Sequence, residues 1–115
     1  MAYDEELADR IRLHLAERTD VVEKRMFGGL GFMVGGHMAI AASGQGGALV
    51  RADPAETDRL VERTKAEVAI MRNRPMPGWL RVASADLRTS RQLKTWIDRS
   101  LAFVATLPDK PPRRR

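Results

Sequence analysis

The stretch VVEKRMFGGLGFMVGGHMAIAASGQGGALVR, residues 21–51, decides the fold of this 115-residue chain. Short apolar runs alternate there with pairs and clusters of glycine, which supply the positive φ angles that tight hairpins require. The clearest turn is Gly35-Gly36, a two-residue connection between two apolar runs. Connections this short exclude parallel crossovers, which need about a dozen residues or more. The stretch therefore predicts an antiparallel meander of four strands over residues 21–27, 30–34, 38–42 and 48–51.

Capping signals predict helices on both sides of this meander. Asp4 caps a first helix whose apolar residues recur with helical spacing and which ends near residue 18. The run Asp53-Pro54-Ala55-Glu56 places proline at a first helical position and a glutamate that can complete a capping box, so a helix is predicted over residues 54–64. A second capping box, Thr89-Ser90-Arg91-Gln92, opens the last helix, which ends before Pro108.

Two more strands are predicted between the second and third helices, over residues 68–71 and 79–82. An irregular loop at Pro75-Met76-Pro77-Gly78 is expected to join them. The order becomes α-β-β-β-β-α-β-β-α, and each helix has one apolar face that needs a sheet to cover. The predicted fold is α+β, a two-layer α/β sandwich with helices packed on an antiparallel sheet. One domain is expected over residues 1–108, followed by a disordered basic tail over residues 109–115.

The positive charge of the chain is concentrated in that tail. The net charge is +5 and the residues after Pro108 carry +3 of it, which leaves the body within the ordinary range for a soluble domain. Weak, salt-sensitive and nonspecific nucleic-acid contact is expected through Arg113, Arg114 and Arg115. The body shows no helix-turn-helix pattern and no aromatic-rich strand pair, so no sequence-specific DNA or RNA binding is expected of residues 1–108.

The residue types also restrict the compartment. There is no cysteine, which excludes disulfides, thiol catalysis and cysteine-ligated metals. No stretch approaches the roughly 20 apolar residues of a membrane span, and the acidic start is the reverse of a signal peptide. We therefore expect a cytoplasmic protein with no membrane contact.

No catalytic constellation stands out. The two histidines, His14 and His37, match no metal-binding spacing; His14 is expected at the inner edge of the first helix and His37 in an exposed position after a turn. The serines lack the nucleophile elbow, and none has an obvious histidine partner; they are Ser43, Ser84, Ser90 and Ser100. We expect a protein that is not an enzyme and has no metal or cofactor.

Two groups of residues are candidates for binding. The first is the predicted β-corner, where glycines turn the chain and the side chains before them form a contact patch; it comprises Arg25, Met26, Phe27, Gly28 and Gly29. Its backbone amides are also a possible anion site. The second is Arg74 with Trp79, near Arg72 and Arg81, because arginine beside an aromatic residue binds proteins or stacks bases. A purely structural role stays open for both groups.

Several motifs resemble the TfoX/Sxy N-terminal domain family over residues 3–108. They are Arg25-Met26-Phe27-Gly28-Gly29-Leu30-Gly31-Phe32, Gly36-His37-Met38-Ala39, Leu49-Val50-Arg51-Ala52-Asp53, Arg74-Pro75-Met76 and Gly78-Trp79. The sequence departs from the family pattern at Asn73, where glycine is expected, and at Pro77, where a basic residue is common. The resemblance implies a two-layer α/β domain similar to secretion-chaperone folds and a bacterial link to regulation of natural competence. It supplies no catalytic residue.

Three functions remain open at this point. The first is a non-enzymatic regulatory domain that binds another protein or forms a homodimer. The second is a nucleic-acid-associated accessory protein that uses Arg72, Arg74, Arg81 and the terminal arginines. The third is a small-ligand or anion-binding domain, or an unrecognised enzyme, at the glycine corner.

Overall fold

A computed structural model describes residues 3–26 and 28–108, and its elements follow the predicted order. The helices are α1 (Glu5–His14), α2 (Thr57–Arg63) and α3 (Ser90–Val104), with short 3-10 turns at Pro54–Glu56 and Ser84–Leu87. The strands are β1 (Val21–Met26), β2 (Gly29–Val34), β3 (His37–Ala42), β4 (Ala48–Arg51), β5 (Glu67–Met71) and β6 (Arg74–Val82).

All six strands form one antiparallel sheet in the order β1-β2-β3-β4-β6-β5. The first four are a meander, as predicted. Gly35 and Gly36 have φ angles of 60° and 87°, the geometry that the β2–β3 hairpin requires. The hairpin of β5 and β6 then joins the meander through β6, so β1 and β5 are the two edge strands. The α+β class is thereby confirmed.

The core lies between one face of this sheet and the helices. Phe32, Ile40 and Leu80 point from the sheet into a cluster with Ile11 of α1 and Ile97 of α3, and all five are at most 2% exposed. Burying one such side chain stabilises the fold by about 1.5–3 kcal/mol. The opposite face, called the outer face below, is covered by none of the described helices. The described residues thus form a two-layer sandwich in which the helices pack on one face of the sheet.

Two of the three predicted helix starts are confirmed in detail. Asp4 accepts a hydrogen bond from the Leu7 amide at 3.1 Å. Thr89 Oγ1 accepts from the Gln92 amide at 3.0 Å and the Gln92 side chain accepts from the Thr89 amide at 2.9 Å, which completes the capping box. At α2 the Asp53 carboxylate caps the Ala55 amide at 2.9 Å.

The capping box predicted at α2 is incomplete. The Glu56 carboxylate pairs with Arg59 one turn later instead of returning to the Asp53 amide. The segment begins as a 3-10 turn, and the α-helix proper starts at Thr57. The first helix is also shorter than predicted, ending at His14 rather than near residue 18.

The predicted Pro-rich loop is wrong, because Pro75 and Pro77 lie within β6. β4 pairs with β6 only between Trp79 and Val82, so the earlier part of β6 has a free side where the missing proline N–H costs no ladder bond. β5 pairs Val68 with Leu80 and Ala69 with Met76, so residues 77–79 have no partner on β5 and form a bulge, although Trp79 pairs with Arg51 of β4. This segment, the β6 bulge, bends the hairpin and separates its outer part from the main sheet.

His37 was expected to be exposed, and the structure corrects this. The residue is 9% exposed, and its Nε2 lies 2.6 Å from the Pro108 carbonyl oxygen, to which it donates. The partner is 71 positions away in the sequence, where the chain leaving α3 returns to the start of β3. A contact between residues so distant along the chain has no local sequence signal.

Candidate binding surface

The β1–β2 corner is a tight reversal in which Met26 pairs with Gly29. Gly28 adopts φ +76°, which confirms that at least one of the two glycines has a positive φ angle. Gly29 is required for a different reason: a Cβ added to it would lie 2.5 Å from the Ala42 carbonyl oxygen. Phe27 lies outside the described residues. The corner glycines thus serve the backbone, and they hold β2 against the turn that follows β3.

Methionine side chains cover part of the outer face. The strand register aligns Val22 of β1, Met33 of β2 and Met38 of β3 in one row. A Cβ on Gly31 would lie 3.0 Å from Met38 Sδ and 3.5 Å from Met26 Cε, so these two side chains extend across the strand between them. Val22 is 63% exposed and the methionines are partly exposed. This apolar set, called the methionine face, is formed by Val22, Met26, Met33 and Met38.

The structure separates Arg25 from this face. Arg25 pairs with Leu30, whose side chain enters the core, so its Cβ points to the helix side of the edge strand. Lys24 stands on the outer face instead, in the row that continues through Gly31, Ala41, Leu49 and Arg81. The candidate corner residues are therefore divided between two surfaces.

A groove of about 810 Å³ lies between the β5–β6 hairpin and the turn after β3. Three arginines line it: Arg72 and Arg74 from the hairpin and Arg81 from the part of β6 that pairs with β4. The remaining lining consists of Ile70, Met71 and Met76 with Ser43 and Gln45. We call this the arginine groove. It brings together the three arginines singled out in the sequence.

Hydrogen bonds connect the groove to the turn after β3. Ser43 is 9% exposed, and its Oγ accepts from Arg81 Nη1 at 3.3 Å and from the Gln45 amide at 3.1 Å. Ser43 also borders the β1–β2 corner, since its Cα would lie 3.4 Å from a Cβ on Gly29. The corner and the arginine groove therefore meet at one turn, between residues 43 and 47.

The tip of the hairpin has an unusual backbone. Arg72 and Asn73 have φ angles of 52° and 65°, and within the described residues they alone have positive φ without being glycine. Such angles at both central positions define the hairpin turn that usually carries asparagine and glycine. Asparagine tolerates positive φ well, so Asn73 is little strained. The positive φ of Arg72 destabilises the turn by about 1 kcal/mol or more. Arg72, whose side chain is exposed, belongs to this turn and lines the groove.

None of the three arginines of the groove forms an ion pair with an acid among the described residues. The ion pairs among the described residues are Arg12 with Asp9 and Glu23, Arg18 with Asp20, Arg59 with Glu56, and Lys94 with Asp98. None of the three groove arginines is in this set. Glu67 stands opposite Arg81 in the register of β5 and β6, but it is exposed and does not line the groove. The groove thus offers three guanidinium groups to an external acid.

Trp79 lies in the β6 bulge and does not line the groove. The Arg51 guanidinium lies 4.9 Å from the centre of its ring and 5.4 Å from that of Phe103 on α3. Burial between these rings lowers the pKa of Arg51 from its usual range. The same bulge is tied to α2 by a buried hydrogen bond of 2.8 Å from the Gly78 amide to Thr57 Oγ1. Trp79 is placed to anchor the base of the hairpin through Arg51.

One serine does have a histidine neighbour, contrary to the expectation from the sequence. Ser90 Oγ lies 3.5 Å from His14 Nε2, where the start of α3 meets the end of α1. The distance is at the limit of a hydrogen bond, and no described carboxylate hydrogen-bonds to His14. Within residues 3–26 and 28–108, no three histidine, aspartate or glutamate side chains are grouped as a metal site.

A second cavity, of about 500 Å³, lies between α2 and α3 and had no signal in the sequence. Arg59, Arg63 and Arg99 line it together with Asp53 and Glu56, so its charges are largely balanced. The Arg99 guanidinium lies 4.5 Å from the centre of the Trp96 ring. The described helices include none that is long and apolar enough to cross a membrane.

Comparison with known proteins identifies the class of domain. The family model of the TfoX N-terminal domain matches residues 14–104, most of the chain, and the protein belongs to this family. Neither the curated proteins nor the solved structures give a significant match.

Proposed function

We propose that this chain is a non-catalytic regulatory domain that acts by binding a protein partner through its outer face. The observation that carries this proposal is the methionine face, where Val22 is 63% exposed beside three partly exposed methionines. Apolar surface of this kind marks association sites, and methionine adapts to irregular partners. The partner is a different protein or a second copy of the chain.

Family membership supports the regulatory part of the proposal, and natural competence is the process that the resemblance implies. The cysteine-free sequence supports the cytoplasm as the compartment. Non-catalytic action is proposed because the histidines have structural contacts, with Pro108 for His37 and with Ser90 for His14.

The test is affinity capture from cells with the full-length chain and two charge-matched variants. Val22→Glu/Met33→Glu places two charges on paired positions of the methionine face. Leu13→Glu/Val61→Glu places the same charges on helix positions that are 77% and 36% exposed. A partner retained by the wild type and the helix control but lost with the face variant supports the proposal. Equal retention by all three contradicts it.

Self-association is distinguished by light scattering on the same proteins. A homodimer through the methionine face gives twice the 12.9 kDa mass for the wild type and the helix control, and the monomer mass for the face variant. If the wild type and both variants are monomers, the proposed partner is a different protein.

The second candidate function is a nucleic-acid-associated protein. The observation in its favour is the convergence of Arg72, Arg74 and Arg81 on one groove. Fluorescence anisotropy with duplex and single-stranded DNA and RNA at about 150 mM salt tests it, because nonspecific binding by counterion release weakens steeply as salt rises. Submicromolar binding that prefers one sequence and is lost with Arg72→Gln/Arg74→Gln would make this the leading function.

A further inference from the structure

We propose that the arginine groove binds an acidic peptide segment in which carboxylate side chains alternate with apolar ones. This inference rests on the proposed function, since it names the chemistry of a protein partner, but it concerns a different surface from the methionine face. The occupant is a segment of another protein.

Charge is the first argument. Arg72, Arg74 and Arg81 line the groove, and none forms an ion pair with a described acid. Arginine binds carboxylates with two parallel hydrogen bonds, so each guanidinium is a site for one aspartate or glutamate. Arg81 is already held in place by Ser43 Oγ at 3.3 Å, which leaves its other N–H groups to a ligand.

Apolar lining is the second argument, and it favours a peptide over a nucleic acid. Ile70 is 57% exposed and Met71 is 37% exposed, and Met76 adds a third apolar side chain to the same groove. Bases of single strands stack on aromatic rings, but none of the described aromatic residues lines the groove, and Trp79 is engaged by Arg51. A peptide with leucine-like or valine-like side chains between its carboxylates would contact both the arginines and the apolar side chains that line the groove.

The hairpin geometry is the third argument. The turn at Arg72 and Asn73 holds an arginine at φ 52°, in a region that disfavours branched and long side chains. Arg72 is exposed at this turn and lines the groove, while the bulge at residues 77–79 interrupts the pairing of β6 with β5. The turn thus adds an exposed guanidinium to the lining of the groove.

The chain itself supplies the wrong charge for this site in its C-terminal part. Residues 110 and 113–115 are all lysine or arginine, and like charges repel. The groove therefore points to an external acidic segment rather than to the tail of the same molecule.

The experiment selects displayed random short peptides on the immobilised full-length chain. We expect enriched sequences that combine at least two aspartates or glutamates with apolar residues. A basic or neutral consensus, or no enrichment, overturns the proposal. The best peptide is then synthesised with a fluorescent label and its affinity is measured by anisotropy at about 150 mM salt, where surface attraction alone is largely screened.

Two double variants identify the binding site. Arg72→Gln/Arg74→Gln should weaken the peptide at least about tenfold, the effect of losing one charge-assisted hydrogen bond. Arg88→Gln/Arg91→Gln removes the same charge from exposed positions around the start of α3 and should leave the affinity unchanged. Both pairs are exposed, so neither should affect folding, which thermal denaturation checks. Equal loss in the two variants means attraction to net charge alone and overturns the proposal.

Three further outcomes are distinguished with the same proteins. An oligodeoxynucleotide of equal charge that binds as tightly as the peptide, with the same dependence on Arg72 and Arg74, would assign the groove to nucleic acid. A wild-type dimer that dissociates with Arg72→Gln/Arg74→Gln would assign it to a second copy. Either result overturns the peptide assignment. If no acidic peptide binds the arginine groove but a partner is captured through Val22 and Met33, the peptide proposal is overturned and the proposed function is still supported.

Discussion

Replacing Gly29 by alanine tests the role assigned to the β1–β2 corner. A Cβ at this position meets the Ala42 carbonyl oxygen at 2.5 Å and the Gly44 amide nitrogen at 3.1 Å. Both atoms belong to backbone, so relief requires β2 to move away from the turn that follows β3. Overpacking of this kind lowers the free energy of unfolding by about 1–3 kcal/mol. Because the neighbouring atoms are backbone and cannot rotate away, we expect Gly29→Ala to lower it by about 2–3 kcal/mol.

Gly46→Ala is the matched control, two residues after Gly44 in the same turn. No atom lies within 4 Å of its added Cβ, but its φ is +94°. Backbone strain of about 1–2 kcal/mol is then partly offset by about 0.4–1 kcal/mol from the stiffer unfolded chain. The expected net cost is about 1 kcal/mol or less. Both variants share the change in unfolded-chain entropy, so a larger cost for Gly29→Ala shows how far its steric term exceeds the backbone strain of Gly46→Ala.

Urea unfolding followed by tryptophan fluorescence measures both variants. With a slope of about 1.5 kcal/mol/M, Gly29→Ala should lower the midpoint by about 1.5 M and Gly46→Ala by about 0.5 M, with unchanged slopes. The corresponding loss in Tm for Gly29→Ala is about 10 °C for a domain of this size. A Gly29→Ala protein as stable as Gly46→Ala would refute the close approach of β2 to the turn.

Three other changes have expected outcomes that the same unfolding assay checks. Thr89→Ala removes the N-cap of α3 and should cost about 1 kcal/mol, whereas Thr95→Ala, the same change at an exposed mid-helix position, should stay within about 0.5 kcal/mol; equal effects would contradict the capping role. Thr57→Val deletes the buried hydroxyl that accepts the amide of the β6 bulge and should cost about 1–3 kcal/mol, while Thr57→Ser keeps the hydroxyl and should cost only about 0.8 kcal/mol for the buried methyl group it removes. The hydrogen bond from Arg12, with its charge, lowers the pKa of Glu23 below 4.5, so this carboxylate stabilises the fold above that pH and the stabilisation is lost as pH falls through the lowered pKa. Because the pair is partly exposed, Glu23→Gln should cost less than about 1 kcal/mol at neutral pH and the difference should vanish in acid; a difference that grows as pH falls would have the wrong sign.

Local signals were sufficient for the order of elements. Hairpin glycines, capping residues and apolar periodicity act over a few residues, so each is legible without knowledge of the rest of the chain. Gly35-Gly36 and the Thr89 capping box have the predicted geometry. The antiparallel pairing within the meander also follows from its short connections, because strands joined by a few residues cannot form a parallel crossover.

The candidate surface was predictable only in part. The sequence singled out Arg72, Arg74 and Arg81, and the structure brings them into one groove. The sequence did not indicate that Ile70 and Met71 would stay exposed beside these arginines, because the alternation of apolar and polar residues does not say which strands have a covered face. The turn at Arg72-Asn73 was missed because its second position has asparagine in place of the usual glycine.

The amino-acid sequence by itself determined the capping of α3, the tight reversals of the meander and the absence of any cysteine chemistry. Tertiary structure decided which strand lies beside β4, and through that choice it decided where proline is tolerated and where the groove forms. β4 ends opposite Trp79, so the earlier half of β6 has a free side and accepts Pro75 and Pro77. It also decided that His37 is buried against Pro108. These features depend on pairings between residues far apart in the chain, which are selected by the packing of the whole core rather than by any local preference.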